Sequence, residues 1–279
     1  QEKGFSDNAV FSVGFEGEVT HRHSMGLING KYYSSGKFFW DERSATLEEQ
    51  VLVPIQDSIE MGLTLNEFTD RLKSLPYYKP LFKNAFGSDE ISSEKAAMAL
   101  SQFIRSILSY NSKYDIERAK VNSLFGNFPG LTEEENIGKA IFEGSKSLRC
   151  NSCHGSDAFV ATGGRNNGLE LTSIDKGIGD VTNNPSEVGQ FKAPSLKNVM
   201  LRAPYMHDGR FATIEEVIEH YDSGIQNHPN LDQDLRDFNT ALPRKMNLSR
   251  SEKDALISFL QTLTDSVLVA DEKFSDPFK

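Results

Sequence analysis

Cys150-Asn151-Ser152-Cys153-His154 holds both cysteines of the 279-residue chain, one turn apart, with an imidazole directly after the second. Three chemistries use such a spacing. A redox dithiol belongs in a strand–helix–strand setting, and strand signals in this sequence are scarce. A zinc site needs two further ligands. There is no third cysteine, and His21, His23, His207, His220 and His228 include no pair separated by three to five residues. The remaining chemistry is covalent haem attachment, in which the thiols add to the porphyrin and the next imidazole ligates the iron. Cys150, Cys153 and His154 are read as that site, with haem c as cofactor.

This reading carries a compartment with it, because covalent attachment of haem happens outside the bacterial cytoplasm. The expected location is the periplasm or its equivalent. With both cysteines committed, no disulfide framework is expected. The chain opens on Gln1-Glu2-Lys3 without a charged-then-apolar leader, so a signal peptide is expected to have been removed or left out. Hydrophobic content of 38% and charged content of 25% suit a soluble globular protein of one large or two modest domains. A formal charge of −10 argues against nucleic acid and fits a basic protein partner or a small neutral substrate. No apolar run approaches the ~18 residues of a membrane span.

Outward from the motif, helix starts are marked by Ser or Thr followed three residues later by Glu, a reciprocal cap for the first turn. Thr46 and Glu49 open a helix through Gln50 towards Pro54. Thr64 and Glu67 open another, with Phe68 and Leu72 on one face. Ser93 precedes a longer one in which Ala97, Leu100, Ile104 and Ile107 recur at helical spacing. Thr132 and Glu135 open a helix carrying Ile137 and Ile141. Thr213 and Glu216 open one striped by Ile214, Val217, Ile218 and Tyr221. Ser249 and Glu252 open the last, with Leu256, Phe259, Leu260 and Leu263. Residues 156–191 are rich in Gly, Asn, Asp and Ser and read as a long loop of the kind that wraps a ligand. A boundary is expected at Asn127-Phe128-Pro129-Gly130.

The sixth ligand of the iron has several candidates. Tyr221 lies on the apolar stripe of its helix, as a core tyrosine or a ligand. Met206 sits in a Pro- and Gly-bounded loop and offers a thioether. His220, one position off the stripe, is expected to be exposed.

Phe38-Phe39-Trp40-Asp41, Leu47-Glu48-Glu49-Gln50, Pro54-Ile55, Glu60-Met61-Gly62, Phe191-Lys192-Ala193-Pro194-Ser195-Leu196 and Ala203–Gly209 carry a resemblance. Together with the Cys150–His154 motif and in this order, they resemble the bacterial dihaem cytochrome c peroxidases and their MauG-type relatives. The resemblance runs from about Gly4 to about Thr264. It implies an all-α fold of two cytochrome c-like helical haem domains with long irregular loops. Residues 1–130 would be the peroxide-binding domain and 131–264 the electron-transfer domain, and the tail 265–279 would pack on the first. Gln1–Asp7 looks like the sequence that follows the family's first haem motif, so an N-terminal piece carrying a second haem is expected to be missing from this chain.

The resemblance also implies roles. Trp40 would lie between the haems. Gln50, Pro54 and Glu60 would face the peroxide-binding haem, with Glu60 moving the proton and Gln50 orienting the peroxide. Tyr221 would be the sixth ligand, a methionine in ordinary peroxidases and tyrosine in MauG, with Met206 next in line. Calcium between the domains would draw on carbonyls near Arg202 and Pro204, and His23 stands where the family usually has an asparagine, against calcium's preference for oxygen. The implied activity is reduction of hydrogen peroxide to water with electrons from a small redox protein, a cytochrome c or cupredoxin, in a protein often dimeric. The alternatives are MauG-like oxidation of a protein substrate, a monohaem electron carrier if the first haem is truly absent, and a haem-sensing or structural interaction protein.

Overall fold

The computed structural model describes residues 1–160 and 163–277. The first half carries α1 (Leu47–Gln50), α2 (Val53–Gln56), α3 (Leu65–Ser74), α4 (Tyr78–Phe86), α5 (Ser93–Arg105) and α6 (Lys113–Arg118). After it come α7 (Glu133–Ala140), α8 (Ile178–Thr182), α9 (Ile214–Glu219), α10 (Arg250–Gln261) and α11 (Ser266–Ala270). The molecule is helix-rich. The described strands are one antiparallel pair, β1 (Gly164–Arg165) and β2 (Phe191–Lys192), which closes the long loop upon itself.

Local chemistry places the helix starts where the sequence puts them. Thr64, Thr132, Thr213 and Ser249 each accept the third backbone N–H of their helix, and the Glu at that position reaches back to the cap. Ser112 and Asp115 make a fifth such box, with Asp in place of Glu at the third position. The α5 cap is Ser92 rather than Ser93. A turn interrupts the Thr46 helix, so that Pro54 sits inside α2, where its missing N–H leaves nothing unsatisfied.

Side-chain facing differs from the periodic reading in two helices. On α7, Ile137 is 45% exposed, while Asn136, Gly138 and Lys139 are buried. The reason is a close crossing with α10: a Cβ on Gly138 would fall 1.9 Å from the Ala255 carbonyl oxygen. Asn136 adds hydrogen bonds to the Phe128 backbone on the same side. On α5 the buried face is Ala96, Ala97 and Ser101, because one edge packs on Leu47 and Val51 and the other on Phe82 and Ile91; Leu100 is left 40% exposed.

The main core gathers Phe128, Phe142, Phe159, Ile214, Ile218, Leu256, Phe259 and Leu263 around the α7–α10 crossing. Phe259 is its hub, with ring centroids 5.3 Å from Phe142 and 6.0 Å from Tyr114. Replacing it with alanine is expected to cost about 3–5 kcal/mol of stability. Urea unfolding of the mature protein should show a lower midpoint at unchanged slope.

The chain after α10 returns to the first half. Fully buried Asp265 accepts backbone N–H groups from Tyr110 and Asn111 and the Ser109 hydroxyl. Leu268 then packs with Ile28 and Ile107, and Phe274 meets Phe5 edge-on at 5.6 Å.

Candidate haem site

Cys150–Ser152 forms a single tight turn. The N–H groups of Cys153 and His154 both return to the Cys150 carbonyl, at 3.2 and 2.9 Å, which brings the two thiols and the imidazole into one wall. The His154 Nδ1 lies 3.1 Å from the Pro194 carbonyl, which can only accept. Nδ1 therefore carries the proton, and Nε2 keeps the lone pair that a metal needs. Burial pushes the imidazole pKa down to about 4, so the ring is neutral at neutral pH. Burial also pushes the Cys150 thiol up to about 12 and raises that of Cys153.

This wall bounds a cavity whose lining includes Phe142, Leu148, Leu256 and Leu260 from the core, and Trp40, Met206 and Tyr221 from three other segments. Four cations, Arg149, Arg165, Lys192 and Arg202, also line it, with no Asp or Glu among the described residues. Asp232 pairs with Arg165 at 2.9 Å and the other three have no ion pair among the described residues, so the lining favours an anionic occupant. The Nε atoms of Arg165 and Arg202 are buried without a hydrogen-bond partner. An apolar slot with a thiol pair, a neutral imidazole and unpaired guanidinium donors fits haem c, an apolar macrocycle bearing two carboxylates. When bound, haem supplies one-electron redox chemistry at its iron.

Tyr221 and Met206 meet at Asn167. Its side-chain Nδ2 lies 3.3 Å from the Tyr221 hydroxyl and 3.5 Å from the Met206 sulfur. Burial raises the Tyr221 pKa, and the Asn167 donor partly offsets this. His220 departs from the sequence reading: it is 7% exposed, with Nε2 3.0 Å from the Asn167 carbonyl. The cause is a π-helical turn over His220–Gly224 that directly follows α9 and rephases the stripe, so that neighbouring His220 and Tyr221 both face inward. Asn167, the Pro194 carbonyl and the guanidinium of Arg202 are site features that the sequence reading did not identify. None sits in a spacing that announces it.

Of the other site residues, Trp40 lines this cavity at 9% exposure and donates its indole N–H to the His23 carbonyl at 2.7 Å. Its own carbonyl accepts the Lys192 N–H. Gln50 at the end of α1, Pro54 in α2 and Glu60 beyond the next turn do not line it. Asp57 Oδ1 accepts the N–H groups of Ile59 and Glu60 and so shapes the turn that presents Glu60. The Glu60 carboxyl is half-buried and makes no ion pair or hydrogen bond among the described residues. Burial and the nearby Asp57 raise its pKa, against a smaller opposing pull from Arg43. The ring of His23 is held to the Ala9 carbonyl at 2.9 Å, and the His23 backbone N–H donates to the His207 carbonyl. Among the described residues, no three His, Cys, Asp or Glu side chains gather to hold a metal ion near His23, Arg202 and Pro204 or elsewhere.

The chain can be placed among known proteins on this geometry. A family model described as di-haem cytochrome c peroxidase matches residues 1–121. The methylamine utilization protein MauG of Methylophilus methylotrophus is 30% identical over 271 residues, covering 96% of this chain and 75% of that protein. The cytochrome c551 peroxidase of Nitrosomonas europaea is 30% identical over 269 residues, covering 94% and 71%. Among solved structures, a MauG-like protein associated with microbial copper homeostasis superposes with a TM-score of 0.83 at 33% identity, covering 100% of this chain and 85% of that one. This chain therefore belongs to the di-haem cytochrome c peroxidase and MauG family of haem oxidoreductases.

Proposed function

We propose that the protein reduces hydrogen peroxide to water in the periplasm, taking two electrons and two protons per peroxide. Cys150, Cys153 and His154, within residues 131–264, would hold the haem that receives electrons from a small cytochrome c or cupredoxin. Gln50, Pro54 and Glu60, within residues 1–130, would face a second, peroxide-binding haem. The observation that carries this reading is Glu60: a half-buried carboxyl without an ionic partner and with a raised pKa is suited to taking a proton from one peroxide oxygen and returning it to the other. The Gln50 amide would orient the peroxide, and Trp40 would relay charge between the haems.

A second reading, MauG-like oxidation of a protein substrate, is favoured by Tyr221 alone, because a phenol at the cavity is the ligand type that the resemblance ties to MauG.

The deciding experiment uses protein matured in its native periplasm. Its mass and alkaline pyridine spectrum count the haems, and its peroxide turnover is followed with a reduced cytochrome c. Two haems with turnover support the peroxidase. Two haems that consume peroxide only alongside a protein substrate support the second reading. One haem without turnover leaves an electron carrier and overturns both.

A further inference from the structure

Arg202 presents an electrostatic imbalance. No carboxylate pairs with it among the described residues, and a single hydrogen bond, from Nη2 to the Ser195 carbonyl, serves the whole guanidinium. Its Nε is buried and unpartnered. Leaving a charge in this state costs several kcal/mol, and proteins hold such groups only against a counter-charge. The surrounding backbone is shaped to admit it: a Cβ on Gly4, which has φ +63°, would fall 2.8 Å from the Arg202 Cγ, and one on Gly26 would fall 2.5 Å from Nη1. The nearby phenols of Tyr33 and Tyr205 are neutral at neutral pH, since burial raises both pKa values.

The side chain lines the haem cavity. His154 and both thiols line it too, as does Arg165, whose guanidinium is already paired with Asp232 at 2.9 Å. Thioether bonds pin one edge of the macrocycle at the thiols, and the carboxylates leave from the far edge. We propose that the Arg202 guanidinium is the subsite for a carboxylate of that haem, and that its charge holds the haem's reduction potential up. The proposal rests on the assignment of His154 as a haem ligand. A fixed cation disfavours the ferric state, which carries one more positive charge than the ferrous, and pairing also offsets the carboxylate that would favour it.

The test is a spectroelectrochemical titration of matured Arg202→Met and Arg202→Lys, with attached haem verified by the alkaline pyridine spectrum. Arg202→Met should shift the ferrous-to-ferric ratio at fixed ambient potential at least tenfold toward ferric, about 59 mV for a one-electron couple. Arg202→Lys should recover at least half of that shift. If Arg202→Met does not mature, Arg202→Gln removes the charge while keeping a donor for Ser195, and the same shift is expected. A wild-type potential in the neutral variants, or equal shifts in Met and Lys, would overturn the subsite. Wild-type protein lacking haem would overturn the His154 assignment itself, and the subsite with it.

Discussion

Glu60→Gln is expected to lower peroxide turnover about 10²–10⁴-fold while the haem at His154 remains reducible by the same donor. The substitution keeps the shape and hydrogen-bonding reach of the side chain and removes only its ability to take and return a proton. Protein burial and Asp57 raise the Glu60 pKa, so the wild-type carboxyl gains its proton at a higher pH than a free glutamate. The sign follows directly. A base is lost on protonation, so wild-type turnover should fall as the pH drops through that raised pKa, on a limb displaced toward neutrality. The glutamine variant should lack that limb. Turnover equal to wild type, with the limb retained, would remove Glu60 from the mechanism and leave it a partly solvated surface carboxyl.

The second large effect is expected at Tyr221. Tyr221→Phe keeps the ring in its buried place and removes the one atom able to ligate iron. If the phenol oxygen is the sixth ligand, the haem at His154 should pass from a low-spin to a high-spin absorption spectrum. The Asn167 amide makes this a discriminating test, because it lies within hydrogen-bonding distance of both the Tyr221 hydroxyl and the Met206 sulfur. An unaltered spectrum in Tyr221→Phe, lost in Met206→Ala, would assign the thioether instead. Thioether ligation is associated with a raised potential, so the two assignments also differ in the midpoint expected of the wild-type haem.

The Arg202 substitutions are separable from both. Arg202 lines the cavity that His154 bounds, whereas Glu60 does not. A change in potential without a change in spin state therefore reports on charge near the macrocycle, and a change in spin state reports on the ligand.

Much of this protein was legible in one dimension because its signals are local. The haem motif places two thiols and an imidazole within five residues, and a single turn with two bonds to the Cys150 carbonyl is enough to align them. The capping boxes at Thr64, Thr132, Thr213 and Ser249 span three residues each, so no distant partner is needed to form them. What lay beyond reach depends on segments far apart in the chain. Asn167 meets Tyr221 across 54 positions and Met206 across 39, and nothing in their sequence spacing encodes that meeting. Ile137 faces outward because Gly138 must let the α10 backbone approach, and His220 turns inward because a π-helical turn shifts the phase that a regular helix would keep. Sequence alone determined the turn that aligns the two thiols with the imidazole and where helices begin, since both are settled by neighbours along the chain. Tertiary structure alone decided which faces are buried and which charges meet the cavity, because burial is a property of what the chain folds against.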